Sequence, residues 1–127
     1  LGTRIGYCMP SCGGGIVFGE AMKRRGAEWH AVLPFDEDDF RAEAVGPWTA
    51  RYEELRGWLR TTRHAATTEA YLGDEVLYSF AGRFMQGLAL ARAAEVGLEA
   101  VAVVLRDPAG GDGLDRFVEE WKAGGQD

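Results

Sequence analysis

The chain has 127 residues, of which 46% are hydrophobic and 27% charged, so it can bury one hydrophobic core but not two. Its formal net charge of −6 and its scattered basic residues are atypical of nucleic-acid-binding proteins, which usually present a basic face. The sequence lacks a run of about 20 apolar residues and lacks the pattern of a signal peptide. We therefore expect one cytoplasmic domain over residues 1–127, with neither a nucleic-acid nor a membrane partner.

The first elements predicted along the chain are a strand, a glycine-rich loop and a helix. Residues 3–7 are predicted to form a short β-strand, and residues 8–15 form the loop Cys-Met-Pro-Ser-Cys-Gly-Gly-Gly. Apolar residues then recur at helical spacing until Gly26, which suits the left-handed position after a helix. These apolar residues are Val17, Phe18, Ala21 and Met22.

The middle of the chain is predicted to contain two strands and a helix. The second strand covers residues 28–33 and ends at Pro34, which cannot continue the hydrogen-bond ladder. Residues 38–40 are expected to open a short helical turn. After Gly46 and Pro47, an apolar stripe predicts a helix to about Arg60, and residues 63–68 are the third strand candidate. The stripe consists of Trp48, Tyr52, Leu55 and Leu59.

The remainder of the chain is predicted to hold the longest helix, a fourth strand and a last helix. The longest helix ends at Gly97. Residues 100–105 form an unbroken apolar, β-prone run, which is typical of a strand covered on both faces in a parallel sheet. A short amphipathic helix follows. The apolar stripe of the longest helix is Val76, Leu77, Phe80, Ala81, Phe84, Leu88 and Ala91, and that of the last helix is Leu114, Phe117, Val118 and Trp121.

This alternation of strands and helices predicts an α/β fold. We expect a three-layer, Rossmann-like, doubly wound parallel sheet of about four strands with helices on both faces. A strand order of 3-2-1-4 would place the topological switch point between the first and fourth strands. Ligands of open α/β sheets bind at such points, beyond the carboxyl ends of the strands.

The loop over residues 8–15 carries the main functional prediction. Three consecutive glycines allow a backbone to approach a ligand closely, and the helix N-terminus that follows adds partial positive charge. We expect a phosphate group there, held by the backbone N–H groups of residues 11–15. The pattern is neither GxGxxG nor a Walker loop, so it specifies no particular nucleotide. The alternative is a tight turn without a ligand.

Acidic residues at the predicted binding edge are further candidates. Glu20, two turns into the first helix, is expected to accept ribose hydroxyls or to act as the acidic catalyst of glycosidic cleavage, unless it simply faces solvent. Asp74 would shape the rim or cap the longest helix, and Asp107 would contact ribose or occupy a turn. Arg51 and Trp48 are candidates for charge and stacking, although Trp48 in the core is the alternative. The predicted ligand-binding residues are Cys8, Ser11, Cys12, Gly13, Gly14, Gly15, Glu20, Asp74 and Asp107.

The cysteines and histidines do not predict a metal site. Cys8 and Cys12 are four residues apart and lack a second close pair, so their combination with His30 and His64 does not match the usual zinc-ligand spacing. Cys12 at the helix N-terminus is a candidate reactive thiol, with packing against the sheet as the alternative. His30 falls in the second strand and is expected to be a hydrogen-bonded histidine rather than a catalyst. We expect neither a metal nor a cofactor.

A set of ordered short motifs resembles a known family. The chain resembles the Rossmann-like sensor domain of the SLOG/TPR-S type, found beside tetratricopeptide repeats or nucleotidyl cyclase domains in bacterial signalling proteins and in the TRAF-binding region of stress-kinase relatives. The resemblance covers nearly the whole chain and implies recognition of a nucleotide or nucleotide-derived ligand within a larger signalling or stress-response protein. The motifs are residues 12–21, 25–28 and 32–35, Trp48 with Arg51, and residues 71–74 and 87–90.

More distantly, the glycines followed by Glu20 resemble the lysine-decarboxylase-like phosphoribohydrolases, whose glycine-rich motif leads to a catalytic glutamate. The present loop lacks the Gly-Thr step of that motif. Three functions thus stay open. The first is a ligand-binding sensor that signals to other domains of a parent chain from which residues 1–127 are excised. The second is an N-glycosidic nucleotide hydrolase, either phosphoribohydrolase-like or NAD-processing, that uses Glu20. The third is an interaction scaffold that docks a partner such as another copy of itself.

Overall fold

The computed structural model describes residues 4–10, 13–58, 61–67, 76–103 and 113–124, and it has a mixed α/β fold. Strands and helices alternate through the first half of the chain, and two helices dominate the second half. The strands are β1 (Ile5–Cys8), β2 (Glu28–Leu33) and β3 (Thr61–Ala65). The α-helices are α1 (Gly14–Arg24), α2 (Glu37–Phe40), α3 (Thr49–Arg56), α4 (Val76–Val96) and α5 (Gly113–Ala123). A π-helical turn (Arg41–Val45) and a 3-10 turn (Gly46–Trp48) join α2 to α3.

The three strands form one parallel sheet in the order β1-β2-β3. Tyr7 pairs with His30 in the β1–β2 register, and Val32 pairs with His64 in the β2–β3 register. The parallel arrangement and the relative order of the first three strands therefore confirm that part of the predicted topology. The third strand begins and ends a few residues earlier than predicted, at Thr61–Ala65 instead of 63–68.

Alternation along β2 gives the sheet two chemically different faces, because successive side chains of a strand point to opposite sides. Trp29 and the residues that share its side pack against α1 and α3; we call this side the Trp29 face. Its buried side chains belong to the main core. Glu28 and His30 lie on the other side, the His30 face, where Arg92 of α4 pairs with Glu28. The core cluster comprises Ile16, Met22, Ala27, Trp29, Ala31, Leu33, Phe35, Phe40, Val45, Tyr52 and Leu55.

Gly19 lets α1 lie close to the sheet on the Trp29 face. A Cβ atom at this position would lie 2.8 Å from Trp29 Cζ2, which is closer than real Cβ atoms approach, and 3.0 Å from Leu55 Cδ1, which is tighter than most real contacts. Trp29 is only 1% exposed, so the indole fills the space that the glycine leaves. The helix ends as expected at Gly26, which has a φ of 65°.

The acidic segment after Pro34 folds into α2, as the predicted helical turn at residues 38–40 anticipated. Asp36 caps this helix by accepting a hydrogen bond from the backbone N–H of Asp39 at 3.3 Å. Glu37 then ties α2 to α3, since its carboxylate accepts hydrogen bonds from the hydroxyl of Tyr52 and from Nε of Arg56, each at 2.8 Å.

The predicted fourth strand is not part of the described sheet. Residues 101–103 have no regular secondary structure, and Val101 and Val103 are 62% and 60% exposed. Residues 104 and 105 lie outside the described part of the chain. An apolar run forms a strand buried on both faces only when it is part of a covered sheet. Here the outer edge of β1 has no partner among the described residues.

Helix α4 is rotated relative to its predicted apolar stripe. Its buried residues are Ala81, Gly82 and Gln86, whereas Val76 and Phe80 are exposed. Helix α5 packs on α4, and Gln86 donates a hydrogen bond to the carbonyl of Phe117 at 3.1 Å. Within the described ranges, none of the helices has both the length and the apolar character needed to cross a bilayer.

Candidate functional site

The predicted anion loop connects the carboxyl end of β1 to the start of α1. Gly13 precedes the helix with a φ of 83°, a conformation that favours glycine, and a Cβ built there would have no heavy atom of a described residue within 4 Å. Gly15 has a different requirement: a Cβ at this position would lie 2.0 Å from the carbonyl oxygen of Met9. Gly15 therefore lets the backbone pass close to Met9, whereas Gly13 is required for its positive φ.

No side chain of the described residues caps the N-terminus of α1. The first intrahelical hydrogen bond runs from the N–H of Val17 to the carbonyl of Gly13 at 3.0 Å, so the N–H groups of Gly14, Gly15 and Ile16 have no acceptor in a preceding helical turn. Gly13 provides no side-chain hydrogen bond, and the first turn contains no acidic residue. This helix end therefore carries the partial positive charge of the helix dipole without a described carboxylate to offset it.

Cys8, at the carboxyl end of β1, is hydrogen-bonded to the Trp29 face and to the start of α1. Trp29 Nε1 donates a hydrogen bond to Cys8 Sγ at 3.2 Å, and the thiol lies 3.5 Å from the carbonyl oxygen of Gly15, to which it donates. Burial raises the pKa of Cys8 to about 12. The thiol thus stays protonated at neutral pH and links the loop to the Trp29 face.

Glu20 forms a two-pronged ion pair with Arg51 of α3. Arg51 Nε donates to one carboxylate oxygen at 2.8 Å and Nη2 donates to the other. The guanidinium carbon lies 4.3 Å from the ring centroid of Trp48, so the cation also stacks on an indole. The hydrogen bonds from Arg51, together with the charges of Arg51, Arg24 and Lys23, lower the pKa of Glu20. The carboxylate is therefore ionised at neutral pH.

Three residues that were separate candidates in the sequence, Glu20, Arg51 and Trp48, are thus in contact in the structure. No local sequence pattern indicates the ion pair, because Glu20 and Arg51 are 31 residues apart and meet only through the packing of α1 on α3. The other predicted contacts, namely Ser11, Cys12, Asp74 and Asp107, lie outside the described residues.

A second polar cluster, which no motif in the sequence indicates, lies on the His30 face. Glu28 Oε2 is 2.5 Å from His30 Nε2, and His30 Nδ1 is 2.8 Å from His64 Nε2. We call Glu28, His30 and His64 the histidine row. Both nitrogens of His30 have hydrogen-bond partners, which confirms the expectation of a hydrogen-bonded histidine in this strand.

Groups from β1 and α4 surround the histidine row. The Tyr7 ring stacks on the His30 ring with a centroid distance of 4.3 Å and an interplanar angle of 13°. Arg92 of α4 lies 3.3 Å from Glu28 Oε1. Burial raises the pKa of Tyr7, and the negative charge of Glu28 adds to this effect.

The titration of the histidine row is also shifted by its surroundings. Burial lowers the pKa of His64, and the charge of His30 adds to this effect. The hydrogen bond with His30 lowers the pKa of Glu28. Both shifts favour the neutral imidazole at His64 and the ionised carboxylate at Glu28.

The histidine row is linear and does not chelate. Glu28 and His64 contact opposite nitrogens of His30, so the three groups do not converge on one point. Among the described residues, no group of three or more histidine, cysteine, aspartate or glutamate side chains is arranged to hold a metal ion. The arrangement instead suits hydrogen bonding and proton exchange along a line of acceptors and donors.

The row follows from strand alternation and register. Glu28 and His30 are two residues apart on β2, and His64 pairs with Val32 on the neighbouring strand, so all three side chains reach the same face. This signal could have been found in the sequence only if the parallel register of β2 and β3 had been known.

Comparisons with known proteins give no assignment. No protein-family model, curated protein or solved structure matches this chain. The chemistry of the two polar regions is therefore the basis of the functional proposal.

Proposed function

We propose that this chain is a ligand-binding module that holds the phosphate of a nucleotide or nucleotide-derived ligand at the N-terminus of α1. The observation that carries the proposal is the start of this helix at the carboxyl end of a parallel strand, where none of the described side chains caps it. Ligands of open α/β sheets bind at such ends, and helix N-termini attract anions through free N–H groups and the helix dipole. The described residues have no heavy atom within 4 Å of a Cβ built at Gly13, so this part of the chain leaves room for the bound group.

The Glu20–Arg51 pair supports a binding role for this edge. Glu20 lies six residues beyond Gly14, which corresponds to about 9 Å along the helix axis, so a nucleotide that contacts both must extend along α1. An ionised carboxylate accepts hydrogen bonds from ribose hydroxyls but has no proton to give to a leaving group. We therefore favour ligand binding over N-glycosidic hydrolysis with Glu20 as the acid.

We also propose that the sheet has a fourth strand. Residues 100–105 would pair with the outer edge of β1 and complete a four-stranded, three-layer, Rossmann-like sheet in the order 3-2-1-4. This would bring the switch point beside the N-terminus of α1, with Asp107 following the added strand and Asp74 near the rim. The apolar, exposed valines at 101 and 103 support this placement, since the helix layers of such a sheet would bury them.

The biological setting that we propose follows the resemblance described above. The module would act as a cytoplasmic sensor within a bacterial signalling or stress-response protein, and ligand binding at α1 would be passed to neighbouring domains. The interaction-scaffold alternative predicts no ligand at all, so ligand binding separates the two.

The test is thermal unfolding with a ligand panel of ATP, ADP, AMP, NAD, ADP-ribose and cyclic dinucleotides. A ligand at one hundred times its Kd adds about 2.7 kcal/mol to the stability of the folded state, which raises Tm by several degrees. Gly14→Glu should abolish the shift by placing a carboxylate at the anion position, while Gly14→Gln, its neutral match, should retain part of it. Gly14 is exposed and has no positive φ, so both variants should fold.

Each outcome has a defined meaning. A shift with one nucleotide that Gly14→Glu removes supports the site, and a turnover assay on Glu20→Gln then tests the hydrolase alternative. Loss of nearly all turnover in that variant would favour an enzyme. The absence of a shift across the whole panel would contradict the nucleotide proposal and favour a scaffold.

A further inference from the structure

The histidine row contains every histidine of the chain, because the sequence has only two. His30 is 9% exposed and is enclosed by Tyr7 of β1, Glu28 of its own strand and His64 of β3. Proton uptake by imidazole in this protein is therefore confined to one connected cluster on one face of the sheet. This makes the cluster unusually accessible to direct measurement.

The hydrogen bonds fix where the protons lie when both imidazoles are neutral. An ionised carboxylate only accepts hydrogen bonds, so His30 must carry its proton on Nε2, which faces Glu28. The Nδ1 atom of His30 is then an acceptor, and His64 must donate to it from Nε2. The remaining acceptor of the row is Nδ1 of His64.

The first and second protons added to the row have different consequences. The first leaves a hydrogen bond between the two rings wherever it binds: Nε2 of His64 still donates if the proton is on His64, and it accepts from Nδ1 of His30 if the proton is on His30 and the His64 hydrogen is on Nδ1. With the second proton both rings are doubly protonated, so Nδ1 of His30 and Nε2 of His64, 2.8 Å apart, are both donors and their hydrogen bond is lost. The second proton also places two imidazolium cations side by side, so the two protonation steps are coupled.

The other charges that face the row do not remove this conflict. Arg92 of α4 lies 3.3 Å from Glu28 and adds positive charge, while Glu95 of the same helix lies 3.5 Å from Arg92 and is engaged there. Tyr7 of β1 is neutral at acidic pH. Glu28 is therefore the carboxylate that hydrogen-bonds His30, and it compensates one added proton rather than two.

We propose that the histidine row is a proton-sensing site that ties β3 to β2 while it holds at most one added proton and releases this side-chain link when it binds the second. The ligand of the site is the proton itself, and its effect is acid-induced loosening of the edge strand β3. The proposal is independent of the anion site on α1, because it concerns other residues and needs no nucleotide.

The direct test is an NMR titration of the two histidine rings from pH 8 to pH 4, combined with amide hydrogen exchange in β3. The imidazole signals should titrate in two macroscopic steps whose proton-binding constants differ more than tenfold. After correction for intrinsic rates, β3 amides should exchange about fivefold faster beyond the second step, whereas β1 amides should not. One shared step near the ordinary histidine pKa, or β3 exchange that follows β1 exchange at every pH, would overturn the proposal.

Two variants sharpen the result. His64→Gln keeps an N–H donor for His30 but cannot be protonated, so a single titration step should remain. Because a second imidazole charge cannot form in this variant, the acid-induced loosening of β3 should weaken. His64→Ala removes the donor, so β3 should exchange faster at all pH values. A two-step loosening that persists in His64→Gln would contradict the proposal, and the wild-type titration decides the case alone if either variant fails to fold.

Discussion

The two faces of the sheet are built from different forces. On the Trp29 face, apolar side chains of β2 meet α1 and α3, and burial of Trp29, Leu33 and Leu55 supplies stability that depends weakly on pH. On the His30 face, Glu28 and His30 are hydrogen-bonded groups whose charge states change with acidity. One strand thus contributes to the hydrophobic core with one set of residues and to a titratable cluster with the alternate set. Stability and proton sensitivity can therefore be altered separately.

The largest expected effect on stability comes from a substitution in the Trp29 face. Trp29→Ala removes an almost fully buried indole that contacts the helix at Gly19, and we expect a loss of about 4 kcal/mol in the free energy of unfolding. Urea denaturation measures it. Trp48→Ala is the matched control, because Trp48 is only partly buried and should cost much less. Equal losses in the two variants would contradict the account of this face.

The next effect concerns the crossing of the chain at the glycine loop. In Gly15→Ala the new Cβ would collide with the carbonyl oxygen of Met9, so we expect a loss of about 1–3 kcal/mol. Gly87→Ala in α4 is the control, since no heavy atom lies within 4 Å of its added Cβ and alanine favours the helix. That variant should gain up to about 1 kcal/mol in urea denaturation. A neutral Gly15→Ala would show that the loop is not constrained as described.

Acid should weaken the protein through the His30 face. The folded-state pKa of His64 lies below its ordinary value of 6.5, so the unfolded chain binds this proton more readily. The stability that His64 contributes is complete above about pH 6.5 and is lost as pH falls toward the lower folded-state pKa. Glu28, also lowered, adds a loss below its ordinary value of 4.5.

The measurement is the urea midpoint at pH 7, 5.5 and 4. The midpoint should fall with each step, and His64→Gln should reduce the fall between pH 7 and 5.5. A wild-type midpoint that stays constant from pH 7 to 5.5 would contradict the assigned direction of the His64 shift.

The smallest stability effect is expected for the ion pair between α1 and α3. Glu20→Gln removes the charge of a partly exposed carboxylate, and exposed pairs contribute little to folding, so the urea midpoint should hardly change. Any ligand that uses Glu20 as an acceptor should nevertheless bind more weakly. Comparing the urea midpoint with the ligand-induced Tm shift separates these roles. A large loss of stability would assign Glu20 to the framework instead.

Local patterns in the sequence predicted those elements whose formation depends mainly on neighbouring residues. The strand β1, the helix α1 with its end at Gly26, and the break at Pro34 follow from spacing, glycine and proline. The apolar run at 100–105 was predicted as a strand, yet residues 101–103 lie outside the sheet, because hydrophobicity indicates burial without specifying the covering partner.

The polar contacts could not be predicted from local sequence patterns, because they depend on how separate elements pack. The pairing of Glu20 with Arg51 depends on how α1 packs against α3, and the histidine row depends on the register of β2 against β3. Each joins residues 31 or more positions apart, so composition and periodicity carry no signal for either. The glycine loop was recognisable from its residues, but the separate tasks of Gly13 and Gly15 appeared only in three dimensions.

The central claim, that an anion binds at the start of α1, is tested most directly by ¹⁵N–¹H NMR of the backbone amides during titration with ADP-ribose and, separately, inorganic phosphate. We predict that the amide signals of Gly14, Gly15 and Ile16 shift first and saturably, and that Gly14→Glu abolishes these shifts. Saturable binding without shifts of these three amide signals would contradict the claim, and so would the absence of binding to both compounds.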